Sequence, residues 1–127
     1  MNVIAFQGEA GAYSERAAKE FFRDQAIMTL PCRSFGETFA AVRDGKATAA
    51  AVPIENSLAG SVHQNYDLLL RHKLSIVAEI KLRIQLHLMA LPKVPLNNIT
   101  SVYSHPQALG QCEEYLRSLK GVHVVAY

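Results

Sequence analysis

An α/β fold, with a parallel sheet covered by helices and a second α/β lobe after it, is what this 127-residue sequence predicts. Three observations carry that reading. Short apolar runs and helical patterns alternate β-α-β-α-β-α as far as His72. Three of the apolar runs end in a loop of small polar residues from which a helix starts: Gly8 to Ser14, Pro53 to Ser61, and Ser104 to Leu109. Beyond Lys81 the period changes, and a strand, helix and strand then follow.

The elements follow in order. Val3 to Phe6 is a short apolar run and predicts a buried strand. Ser14 to Phe22 predicts a helix, with Ala17, Ala18, Phe21 and Phe22 at helical spacing. Ile27 to Leu30 is a second strand, closed by Pro31. Ser34-Phe35-Gly36-Glu37 has the capping-box pattern, and Phe35, Phe39 and Val42 line one face of the helix it opens, which Gly45 ends. Thr48 to Val52 predicts a third strand, whose small residues favour a crowded central place in the sheet. Ser61 is placed to cap a helix running to His72.

Leu82, Ile84, Leu86, Leu88 and Ala90 then alternate with Arg83, Gln85, His87 and Met89, the period of a long strand with one buried face. Leu91 to Asn98 is a loop with two prolines. Thr100 to Tyr103 predicts a strand, His105 to Lys120 one helix with Pro106 in its first turn, and Val122 to Ala126 a last strand. The boundary between the lobes is expected near Ser75 to Lys81, with residues 1–76 as the first lobe and 77–127 as a partial second one.

Half of the residues are hydrophobic and 19% are charged, which suits a globular chain with a core. A net charge of +2, with scattered basic residues, argues against a nucleic-acid partner. Nothing approaches the ~20 apolar residues of a membrane span. Cys32 and Cys112 do not form a metal pattern, His63, His72, His87 and His123 lack metal spacing, and no metal site is expected. The two cysteines read as reduced thiols, and Met1 to Phe6 reads as a strand instead of a signal peptide, so a cytoplasmic setting is expected.

Strand-end loops of a right-handed α/β sheet share one edge, where ligands bind. A helix start also presents unpaired N–H groups to an anion, so the three joints point to a cleft for an organic acid. In the first joint, Gly8 and Gly11 fit neither the dinucleotide pattern nor the P-loop; they either build a site or only permit a turn, and Ser14 either caps the helix or meets a ligand. In the second, Glu55 is an acid–base group or a partner for backbone N–H groups. Asn56 can donate and accept, and Ser57 follows it; an Asx-type turn is the alternative. In the third, Ser104 and His105 precede Gln107 and Gln111, whose spacing of four puts both amides on one helix face, as a site or as surface. A His at the positive end of a helix is biased toward neutral. No serine sits in a nucleophile elbow.

Taken together, Gly8-Glu9-Ala10-Gly11-Ala12-Tyr13-Ser14, Val52-Pro53-Ile54-Glu55-Asn56-Ser57-Leu58-Ala59-Gly60-Ser61-Val62 and Tyr103-Ser104-His105-Pro106-Gln107-Ala108-Leu109-Gly110-Gln111-Cys112 resemble prephenate dehydratase. The resemblance runs from Met1 to Tyr127. It implies a periplasmic-binding-protein-like (type II) two-lobed fold with the active site between the lobes, here with the second lobe incomplete. It implies loss of water and CO₂ from prephenate to give phenylpyruvate, in phenylalanine biosynthesis, without metal or organic cofactor. By the same resemblance Glu55, Asn56 and Gln111 are the catalytic positions, while Ser14, Ser57, Ser104, His105 and Gln107 line the substrate cleft.

Family members carry a Thr-Arg-Phe motif whose threonine protonates the leaving hydroxyl, and many carry a carboxy-terminal ACT domain. This sequence holds no Thr-Arg pair and no ACT domain. The expectation is a truncated, inactive dehydratase chain that pairs as a homodimer. The other reading is a small-molecule (carboxylate) binding or sensing domain without catalysis. Arogenate in place of prephenate would keep the chemistry, and nothing in these residues separates the two.

Overall fold

The computed structural model describes residues 1–58 and 60–127, so Ala59 of the second joint lies outside the described residues. Contacts divide the chain into two units, Met1–Arg83 and Ile84–Tyr127.

In the first unit, β1 (Asn2–Gln7), α1 (Tyr13–Phe21), β2 (Ile27–Cys32), α2 (Phe35–Arg43), β3 (Ala49–Ala51) and α3 (His63–His72) follow in order. The three strands form one parallel sheet in the order β2-β1-β3. The strand of greatest apolar continuity is therefore the central one: Ile4, Ala5 and Phe6 are all buried. Successive side chains of a strand point to opposite faces. Val3 and Ala5 belong to a cluster with Cys32, Ala41, Val42 and Ala47, which is the α2 side. Ile4 and Phe6 face the other way. The first crossover runs outward to β2 and the second back across β1 to β3, so right-handedness puts α1 and α2 on opposite faces. A strand covered on both faces reads as an unbroken apolar run, as β1 does.

Three expectations need correction here. β3 is an edge strand of this sheet, not its centre. Its alanines are half-buried and both α1 and α2 pack on it, so small side chains serve close helix approach. Pro31 does not close β2 but lies within it, opposite Phe6. β2 is an edge strand, where a residue without an N–H is tolerated. Ser61 does not cap α3; Val62 holds the cap position, without a side-chain bond, and Ser61 pairs with Glu55 in a small antiparallel hairpin.

The Ser34 cap forms as expected, with one displacement. The Ser34 hydroxyl accepts from the Glu37 N–H at 3.1 Å, while the Glu37 carboxylate accepts from the Arg33 N–H at 2.9 Å, one residue before the usual partner. Ser34→Ala is expected to lower folding stability by about 1 kcal/mol in a urea melt; an unchanged midpoint would show that the cap contributes nothing.

The second unit holds β6 (Ser101–Ser104) and β7 (His123–Ala126) as a parallel pair, joined by α4 (Pro106–Gln111) and α5 (Glu113–Ser118); β4 (Glu55–Asn56) and β5 (Gly60–Ser61) are the hairpin strands of the first unit. The helix expected from His105 to Lys120 is thus broken at Cys112, which has φ −103° and ψ 10°. The alternating segment from Leu82 to Ala90 forms no strand. Period two supplies one apolar face, but a strand also needs a neighbour to take its N–H and C=O groups, and this segment has no ladder among the described residues. Ile84 and Leu86 remain about 40% exposed.

Candidate functional site

At the first joint the chain leaves β1 through Gly8, at φ +120°, whose N–H donates to the Cys32 carbonyl at 2.9 Å. A Cβ there would lie 3.3 Å from the Ala12 Cβ, and Gly11 also has a positive φ, of 94°, so both glycines build the turn. Ser14 is not the cap. Ala12 occupies that position without a side-chain bond, and Ser14 is the second residue of α1, half-buried.

The carboxylate that organises this joint is Glu15, which the sequence reading passed over. One oxygen accepts from the Gly11 N–H at 2.7 Å; the other accepts from the Thr29 hydroxyl at 2.9 Å and pairs with Lys19 Nζ at 2.7 Å. The Gly11 N–H, then Lys19, then Thr29 hold its pKa down at about 2. A buried carboxylate with three donors is a structural clamp and not a base. Its signal was present: a Glu three residues after the cap, the capping-box spacing without a capping Ser.

At the second joint β3 exits through Pro53 and Ile54 into the hairpin of β4 and β5, where Glu55 pairs with Ser61 and Asn56 with Gly60. Its base is closed by two bonds. The Val62 N–H donates to the Ile54 carbonyl at 2.8 Å, and Asn65 Nδ2 donates to the Pro53 carbonyl at 2.7 Å. Glu55 and Ser57 are exposed and Asn56 is half-buried. Asn56 Oδ1 accepts from the Leu58 N–H at 2.9 Å, the Asx-type turn. The turn and a site are not exclusive, because the turn fixes where the amide stands.

At the third joint, in the second unit, Ser104 ends β6 and is half-buried. His105 is the cap of α4, and its Nδ1 accepts from the Gln107 N–H at 3.2 Å. An imidazole that accepts at Nδ1 carries its proton at Nε2, so the group it presents outward is a neutral N–H donor. Gln107 is exposed; Gln111, at the end of α4, is half-buried. Gln111 lines a surface hollow of about 620 Å³ with Leu86, Cys112, Glu114, Tyr115 and Ser118. The break at Cys112 turns the helix there, which a single helix to Lys120 would not do. Glu55, Asn56, Ser57 and Ser14 thus stand in the first unit, and Ser104, His105, Gln107 and Gln111 in the second.

No group of three or more His, Cys, Asp or Glu side chains among the described residues is placed to hold a metal, and no helix among them is long and apolar enough to cross a membrane.

The family model for prephenate dehydratase matches residues 4–127. Arogenate dehydratase 2 of Petunia hybrida is 48% identical over 116 residues, which make up 91% of this chain and 29% of that relative. Arogenate dehydratase/prephenate dehydratase 6, chloroplastic, of Arabidopsis thaliana is 51% identical, over 91% of this chain and 28% of its own. The chain therefore spans less than a third of the length of these curated relatives.

Among solved structures, a quorum quenching acylase designated GqqA superposes with a TM-score of 0.81 at 38% identity, over 98% of this chain and 45% of that one. Prephenate dehydratase of Arthrobacter aurescens, in complex with L-Phe, superposes with a TM-score of 0.69 at 25% identity, over 98% of this chain and 42% of that one.

The cytoplasmic expectation is overturned by relatives such as the Arabidopsis proteins, which are named chloroplastic. Two reduced cysteines report a redox state and cannot name an organelle. With the family model matching nearly its whole length, the chain belongs to the prephenate dehydratase family of lyases.

Proposed function

We propose that this chain provides substrate-recognising loops of a dehydratase that takes water and CO₂ from prephenate, or from its amine counterpart arogenate, in phenylalanine biosynthesis. The observation that carries the reading is the second joint: a half-buried parallel edge strand that leads through Pro53 and Ile54 to Glu55 and Asn56 in a hairpin closed at its base from α3. We assign it the two-lobed, type II periplasmic-binding-protein-like architecture of the resemblance, acting as a homodimer.

The chemistry asks little of the protein beyond position. The ring hydroxyl needs a proton as it leaves, and the ring carboxylate must give up its charged, solvated state to depart as CO₂. Aromatisation drives both. A strong cationic clamp on that carboxylate would stabilise the ground state, so neutral donors suit the task better. Asn56, Gln111 and the Nε2–H of His105 are such donors. Glu55 is exposed and tunes the hairpin's field; Ser14, Ser57, Ser104 and Gln107 supply further hydrogen bonds to the substrate. Because no Thr-Arg pair occurs in these residues, the 127-residue chain is expected to bind the substrate and to turn it over poorly.

The test is a titration of the purified chain with prephenate and with arogenate, followed at the Asn56 amide by NMR, beside an assay for phenylpyruvate. Saturable binding that weakens about tenfold or more in Asn56→Ala, as expected for loss of a hydrogen bond to a charged ligand, supports the proposal. Absence of binding to either acid, or binding unaffected by Asn56→Ala, overturns it. Binding of many unrelated carboxylates with equal affinity would instead mark a sensing domain.

A further inference from the structure

Asn65 is among the most buried side chains of the molecule, at 0% exposure, yet it is polar and only half satisfied. Its Nδ2 donates to the Pro53 carbonyl at 2.7 Å, while its Oδ1 has no hydrogen-bond partner among the described residues. A branched apolar side chain such as Leu would strand no acceptor of its own, although it would take the donor from the Pro53 carbonyl, and buried polar groups are ordinarily paired. What the amide adds is the one bond to Pro53, since its second polar atom makes no further bond among the described residues.

What the amide does is local. Pro53 is the last residue before the hairpin, and Asn65 is the third residue of α3. The bond ties the exit of β3 to the helix that follows the hairpin, beside the bond from the Val62 N–H to the Ile54 carbonyl. The hairpin between these ties has strands of two residues each, far too short to hold its own shape. Its register, and with it the places of Glu55 and Asn56, depends on how its two ends are pinned.

We propose that Asn65 is a positioning residue: its side-chain amide pins the base of the Glu55–Asn56 hairpin from within the core and sets the geometry in which those residues meet the substrate. The role rests on the dehydratase reading of that hairpin, and the sequence offered no hint of it, since Asn65 lies in the helix after the motif.

The experiment compares the chain with Asn65→Leu, which keeps the branched shape and removes the polar atoms, by amide hydrogen exchange, thermal unfolding and prephenate titration. Exchange at Ser61 and Val62 is expected to speed up by about tenfold or more, while exchange at Ile4, Ala5 and Phe6 and the melting temperature stay close to wild type. Prephenate affinity is expected to fall in step with the hairpin's protection and not with the melting temperature. Unchanged exchange at the hairpin overturns the proposal. So does an equal rise at β1, which would make Asn65 a general core residue. Asn65→Met, more adaptable in shape, is the second variant; if neither folds, Asn65 holds the core and the proposal is wrong. A wild-type chain that binds neither prephenate nor arogenate defeats the dehydratase reading, and the exchange measurement still decides whether Asn65 pins the hairpin.

Discussion

Phe39→Ala is expected to cost about 3–5 kcal/mol of folding stability, the range for removing a buried ring and leaving most of its cavity. Phe39 is 2% exposed on α2, and its ring stacks on His72 at the end of α3, with centroids 5.9 Å apart. It is one of the few large side chains that are fully buried, alongside Phe6 and Ile4. Domains have a total stability of roughly 5–15 kcal/mol, so such a loss leaves little margin. The consequence reaches the site, because α2 packs against α3 and α3 carries Asn65. A urea melt followed by circular dichroism checks it. A midpoint within error of wild type would show that the α2–α3 contact is not part of the folded core. Phe39→Leu, which keeps most of the volume, is expected to lose clearly less.

Acid should loosen the first joint through Glu15. Its folded pKa, about 2, lies below its ordinary 4.5, so the unfolded chain binds the proton more readily. The stabilisation is therefore complete above about pH 4.5 and is lost as pH falls from there toward 2. Weakened with the loss of charge are the bonds from the Gly11 N–H, Lys19 and the Thr29 hydroxyl, which connect the glycine turn to β2. Asp44, held low by Arg43, acts in the same direction, so the wild-type profile alone does not isolate Glu15. Glu15→Gln does. That variant is expected to melt well below wild type at pH 7 and to approach it as pH falls toward 2. A gap that stays constant over that range would mean the carboxylate's charge is not what holds the turn.

The local parts of the fold were legible in the sequence because they rest on neighbours in the chain. The Ser34 cap needs only Glu37 three residues on, and β1 announces its double burial by an apolar run without alternation. The joints were legible for the same reason: small polar residues and glycines must follow a buried strand if the chain is to turn into a helix. Glu55, Asn56 and His105 stand out as candidates because each sits in such a joint, and Gln111 because it lies one helical turn beyond Gln107.

Other features depended on partners far away in sequence. The alternation from Leu82 to Ala90 is as regular as a strand requires, yet regularity offers one face and cannot supply the neighbouring backbone that makes a ladder. The place of β3 at the sheet's edge followed from the return crossover over β1, which its alanines do not encode. Glu15 was invisible as a clamp because Thr29 is fourteen positions away, and Asn65 because Pro53 is twelve. Sequence by itself determined the alternation of three strands and three helices in the first unit (though not the β4–β5 hairpin), where the candidate site's loops fall, and which family the chain resembles. Tertiary structure alone decided the strand order, the break at Cys112, and which buried polar groups hold the loops in place, because a hydrogen bond between distant residues exists only once the chain has brought donor and acceptor together.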